Sequence, residues 1–311
     1  MTARGRWVAD PSIGWRILLD ARLLDPPAPA ADVRSATSVT ELRRQLAAPD
    51  PAPVLVGAVG RELVVSAHHS AVDGLGLLRV LEQRGHGPVT SSARGVGERP
   101  SGHGYAGTVG RRLAEAAFRP PARVPVDPPV GSRDGDTMVE IDVPGTYRTA
   151  EVVHAAVRAL VDRGAGPRVA VAVGVTRDPA ASGPIADRSA LLRLRDVERL
   201  DLYGIDRALR EAPVERPPVA GSGFVDRAAA VAMRVLARRL GSTLLVSHLG
   251  EVGAPAVERL AFFPVTAGGT GISLGAVGHG GRTVLTLRAR AAAWDADGLE
   301  RVLEAVGGRL A

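Results

Sequence analysis

The stretch VSAHHSAVDGLGLL, residues 65–78, runs an apolar strand pattern into two adjacent histidines, then an Asp-Gly pair and a leucine-rich helix pattern. In ELVVSAHH (62–69) the period of two places Leu63, Val65, Ala67 and His69 on one face and His68 on the other. A strand end that opens into a turn lets a polar side chain face a cavity while its backbone stays anchored in a sheet. A neutral imidazole held through one ring nitrogen can there accept a proton from a hydroxyl or amine with the other. The same residues also fit a half-buried strand histidine with a satisfied hydrogen bond, and an Asp73 that only caps the next helix. Gly74 is expected to let the chain turn tightly. His68, His69 and Asp73 are candidate ligands for an ion, but neighbouring strand residues diverge, so no metal site is expected.

Around this stretch the pattern reads as α/β. WRILLDARLL (15–24) is a strand ending in a proline-rich turn, and 39–47 is a helix with Val39, Leu42 and Leu46 on one face. PVLVGAV (53–59) and 62–69 form a hairpin about Gly60-Arg61, and the helix after Asp73 stops at Gly85. Residues 86–103 read as a mobile loop and 105–118 as a helix. RPPARVPVDPPVGSRDGD (119–136), with five prolines, is the best linker in the chain. It divides an N-terminal lobe, 1–118, from a C-terminal lobe, 137–311. The second lobe opens with a strand over 137–144 and a helix over 149–164 capped by Thr149. Strands follow at 168–178 and 189–195, then helices at 198–212 and 225–240. Four strands at 242–250, 258–266, 270–278 and 281–290 precede a last helix from Asp295, with mixed or antiparallel pairing and a hairpin at His279-Gly280-Gly281.

A chain of 311 residues can bury a large core, which must be built from Leu, Val and Ala because aromatics are only 3%. The formal charge of +6 comes from 39 arginines without a lysine, interspersed with acids, which reads as a solvated surface and not as a nucleic-acid interface. The absence of cysteine removes disulfides, thiolate catalysis and thiolate metal sites. Arg16 and Asp20 interrupt the one N-terminal apolar run, and no later run has the length of a membrane span, so a cytoplasmic location is expected. The glycines from Gly269 to Gly275 imitate a dinucleotide-binding turn, but a strand pattern follows where that turn needs a helix. No G-x-S-x-G elbow is present.

His68-His69-Ser70-Ala71-Val72-Asp73-Gly74 resembles the H-H-x-x-x-D-G motif of the acyltransferase superfamily that includes chloramphenicol acetyltransferase, nonribosomal peptide condensation domains and wax ester synthases. The flanking strand and helix are similar to the family's, as are 169–195, LLVSHLGEV (244–252) and the stretch 262–290. The resemblance implies two chloramphenicol-acetyltransferase-like lobes with mixed sheets, set in a V with a tunnel between them. It also implies His69 as general base for attack of a hydroxyl or amine on an acyl thioester, with His68, Asp73 and Gly74 as supporting residues. Asp73 would brace the loop through an arginine, and Ser247 would face the site from the opposite lobe and stabilise the oxyanion. No metal or redox cofactor is needed. The cosubstrate would be an acyl-CoA or acyl carrier protein thioester, the acceptor a small molecule of secondary metabolism, and the protein a monomer.

Three departures accompany the likeness. Only 67 residues precede His68, so the first lobe is expected to be trimmed; the D-F-G-W-G motif is absent, which points to the condensation-like branch; and His248 stands where Asn usually follows the strand serine, so the tunnel floor is expected to differ. Two further readings stay open beside acyl transfer. One keeps the fold and base for a one-substrate cyclisation, dehydration or isomerisation, and the other is a non-catalytic module that binds a carrier protein.

Overall fold

The computed structural model describes residues 15–97, 99, 105–127, 134–177, 185–215, 241–266 and 271–311. The expected helix at 225–240 lies outside the described residues. Two mixed sheets organise the rest. In the smaller, strand β1 (Arg16–Leu23) is flanked by β4 (Glu62–His68), then β3 (Val54–Val59) and β2 (Val33–Ser35). Helix α1 (Val39–Ala47) packs Leu42 and Leu46 on one face of this sheet, against Leu18 and Val64. Helix α2 (Gly74–Leu81) covers the other face, where Leu77, Leu78 and Leu81 meet Leu63, Val65 and Ala67. Residues 63–67 are thus buried on both faces, as expected of a central strand and not of one with a wet side.

Arg16 and Asp20, which interrupt the first apolar run, are also buried. The Arg16 guanidinium donates to the carbonyls of Leu46 (3.1 Å), Ala52 (2.8 Å) and Ser66 (3.2 Å) and to Ser66 Oγ (2.9 Å), tying α1 and the segment after it to the sheet. Asp20 takes a hydrogen bond from Arg43 Nε at 2.7 Å, and burial raises its pKa despite that pairing. Arg43 reaches on to Glu140, in the second sheet, at 3.0 Å.

The larger sheet runs β6 (Asp136–Pro144), β13 (Arg282–Arg290), β12 (Ile272–His279), β10 (Leu244–Gly253), β7 (Val171–Thr176), β8 (Ser189–Leu194) and β9 (Val214–Glu215). Strand β10 is parallel to both neighbours, whereas β12 and β13 form an antiparallel hairpin about Gly280 and Gly281. Both glycines have positive φ, 57° and 76°, the conformation that a two-residue hairpin loop demands. One face of the sheet carries Val139, Leu287, Leu274, Val246, Val173 and Leu192 in a cross-strand row. That row is buried under α4 (Thr149–Asp162), α5 (Leu202–Glu211) and α6 (Ala296–Gly307). The opposite face turns toward the smaller sheet.

Two segments cross between the sheets. Strand β11 (Val257–Phe263) leaves the second half of the chain to pair with β1, and β5 (Thr90–Ser91), inside the expected loop at 86–103, pairs with β10. The division at 119–136 is therefore one of chain order and not of sheet membership. Helix α3 (Tyr105–Phe118) leads into that segment. Among the described residues no helix is long and apolar enough to cross a membrane.

Candidate active site

The end of β4 is held from both sides. His68 N donates to Pro53 O at 2.8 Å and His69 N to Trp15 O at 2.8 Å, after which the chain turns on bonds from Ala71 N and Val72 N to His68 O. The two imidazoles then part. His68 stacks on Trp15, with ring centroids 6.4 Å apart and planes 17° from parallel, and its Nδ1 lies 2.7 Å from Ser70 Oγ. Burial and the nearby Arg16 guanidinium lower its pKa. His69 is half-buried, and its Nδ1 lies 3.3 Å from Val72 O. A carbonyl only accepts, so this contact needs the proton on Nδ1 and makes Nε2 the accepting nitrogen of the ring.

Asp73 has a double hold. Its Oδ1 caps α2 by accepting from Gly76 N at 2.7 Å, and its Oδ2 accepts from the main-chain N–H of Arg188 at 3.1 Å, beside the start of β8. Burial raises the carboxyl pKa, and these two N–H donors oppose that rise. The brace expected to run through an arginine thus engages that residue's backbone. Gly74 serves a different purpose from the one expected. It is absent from the positive-φ residues, but a Cβ there would stand 2.7 Å from Leu249 Cδ2 and 3.2 Å from Phe262 Cζ. The glycine lets α2 come close to the Leu249 and Phe262 side chains of β10 and β11, and it is not needed for a positive φ in the turn.

Ser247 lies on the face of β10 turned to the smaller sheet, two residues before the Leu249 that packs on Gly74. A buried clamp joins the two sheets in the adjacent row. Arg288, fully buried and paired with Asp136 at 2.7 Å, donates to Arg16 O at 2.5 Å and Pro264 O at 3.0 Å. Arg288 shares a cross-strand row with Ser273, Leu245 and Ala172, and the next row on that face is Thr286, Gly275, Ser247 and Gly174. His248 points the other way, with Nδ1 3.2 Å from Thr149 Oγ1. Thr149, expected to cap its own helix, is instead the first residue of α4 after the cap position Arg148, and its hydroxyl is committed across the core. Burial lowers the His248 pKa to about 4, so the ring is neutral and does not share a face with Ser247.

No family model matches the sequence, and no curated protein matches it. Solved structures do. The epimerization domain from the third module of tyrocidine synthetase B aligns over 99% of this chain and 91% of its own, with TM-score 0.51 and 15% identity. The first condensation domain of the calcium-dependent antibiotic synthetase aligns over 97% and 91%, with TM-score 0.51 and 16% identity. Polyketide synthase associated protein 5 from Mycobacterium tuberculosis aligns over 95% and 93%, with TM-score 0.52 and 11% identity. The chain has the condensation-domain fold. The sequence pattern places His69 at a strand end, Asp73 at a helix cap and Ser247 within a strand, and it does not single out the residues that join the two sheets. Gly174, Gly275 and Arg288 sit in unremarkable strand patterns, and the one local signal was an arginine in the apolar run of β13.

Proposed function

We propose that this protein transfers an acyl group from a coenzyme A or carrier-protein thioester to a hydroxyl or amine, with His69 as general base. The observation that carries the reading is the His69 Nδ1 contact to Val72 O, which makes Nε2 the ring's accepting nitrogen at the end of a strand in a condensation-type fold. In the reaction Nε2 takes the acceptor's proton, the acceptor oxygen or nitrogen bonds to the thioester carbon, and the carbon–sulfur bond breaks. The proton on the imidazolium then passes to the departing thiolate, so base and thiol are both restored. Asp73 is a positioning residue, because its two backbone bonds fix the turn that supplies Val72 O. Ser247 donates to the carbonyl oxygen as charge builds on it.

Thiol release from a panel of acyl thioesters and acceptors tests this. A fall of about 10²–10⁴-fold in His69→Ala is expected, with the acyl group found on the acceptor by mass. Equal thiol release by wild type and variant would overturn the reading. Neighbours of the same fold are an epimerization domain and the EpoB cyclization-docking bidomain from Sorangium cellulosum, so a product that is an isomer or has lost water would assign a one-substrate reaction to the same base. Carrier-protein binding that survives His69→Ala, with no turnover of any substrate, would favour a docking module.

A further inference from the structure

His279 ends β12 and is half-buried, with its ring set between two backbone carbonyls. Nδ1 lies 2.8 Å from Val252 O and Nε2 lies 2.9 Å from Val257 O. Those two oxygens stand at the two ends of one connection. Val252 is near the end of β10 in the larger sheet, and Val257 opens β11 in the smaller one, with Ala254, Pro255 and Ala256 between the strands. The connection itself is held by Val257 N donating to Ala254 O at 3.0 Å, and Leu24 N, just past β1, donates to Ala256 O at 3.1 Å.

A carbonyl oxygen accepts and cannot donate, whereas a neutral imidazole carries one N–H and one lone pair. In either neutral tautomer, one of the two contacts would set lone pair against lone pair at hydrogen-bond distance. The imidazolium, with an N–H on each nitrogen, satisfies both. We infer that His279 is a proton-dependent staple on the chain's passage from one sheet to the other. With both protons the ring bridges β10 and β11. On losing one it keeps a single bond, releases the other carbonyl, and the connection slackens. Charged groups of both signs surround the ring. Strand β10 brings Glu251, which lies against Gly278, and β11 brings Glu258, which pairs with Arg61 of the β3–β4 turn at 2.9 Å. Strand β13 brings Arg282, directly across from His279. The residues that β1 and β5 set opposite Val257 and Val252 are Leu23 and Ser91, which carry no charge. Two carboxylates thus stand with two guanidiniums, and the pair of carbonyls decides. This staple is independent of the reaction at His69.

The test reads native-state amide exchange at Val257 and Leu24 at pH 5 and pH 8, which bracket the charge change of a histidine. Protection at these amides is taken relative to amides of β7, so that any change in global stability cancels. The staple holds at the acidic end and is lost as the pH rises, because the second proton belongs to the bridged form. Relative protection in wild type should therefore fall about tenfold from pH 5 to pH 8, the loss of one charge-assisted hydrogen bond. His279→Gln, which does not titrate and donates from one end only, should show no such fall. Equal relative protection at the two pH values in wild type, or the same fall in His279→Gln, would overturn the staple. Nitrogen NMR of the wild-type ring decides the matter even if the variant does not fold. Two slowly exchanging ring N–H signals at pH 5, of which one is lost at pH 8, support the staple, and a single such signal at both overturns it.

Discussion

The two halves of one sheet face do opposite work. On β12 and β13 the face is sealed. Gly275 admits Phe262 O, Thr286 Oγ1 donates to that same oxygen at 2.5 Å, and Arg288 ties Arg16 and Pro264 to Asp136. On β10, β7 and β8, one strand away, Leu245, Ser247, Gly174 and Leu191 are partly open to solvent, while Ala172 is buried. The contrast teaches that two sheets need not be joined evenly along one face. The sealed half holds them together through backbone contacts and a buried ion pair, and the other half keeps side chains that solvent still reaches.

The largest break in that contrast should come from Arg288→Met. It leaves the buried Asp136 carboxylate with only Thr266 Oγ1 and the more distant Arg290 and frees two backbone carbonyls, and a loss of about 3–5 kcal/mol in urea unfolding is expected. Adding Asp136→Asn should recover part of it. A double variant no more stable than Arg288→Met would show that the carboxylate is not the source of the cost. Gly275→Ala comes next. A methyl driven into Phe262 O must part the sheets, so a loss near the upper end of the usual overpacking range, about 3 kcal/mol, is expected. The same substitution at Gly174 should cost less than about 1 kcal/mol. Equal costs at the two glycines would erase the distinction between the sealed and the open half.

The smallest effect concerns the far side of β10. His248 has its folded pKa lowered to about 4, so the unfolded chain binds a proton more readily than the native one. Stability should therefore be unaffected by this group above about pH 6.5, fall as the pH drops from there toward 4, and level off below. Because the residue is only partly enclosed, the loss is expected to be about 2 kcal/mol and not the full value of the shift. His248→Asn should flatten that part of the pH profile, and an unchanged slope would show that the ring titrates normally.

Much of the local structure was legible. The period of two separated His68 from His69, and the structure gives them different partners. The Ser-containing apolar runs at 62–69 and 244–252 read as strands, Asp73 read as a cap, and the Gly-Gly turn after His279 read as a hairpin. Other features were not legible for identifiable reasons. Gly74 resembled a turn glycine, yet its cause is Leu249, a residue 175 positions away that no local window contains. Strand β11 looked like part of a terminal hairpin set, yet it pairs with β1, because an apolar strand pattern says that a partner is needed without saying which.

The sequence by itself determined which segments are strands and helices, which faces are apolar, and that one histidine ends a strand on the side of the helix that Asp73 caps. Those are consequences of backbone period and capping chemistry, which act over a few residues. Only the tertiary structure decided that Gly174, Ser247 and Gly275 share a row, that Phe262 O comes against Gly275, and that Arg288 ties the two sheets together. Register between distant strands is fixed by packing across the whole domain, and the site is made of that register.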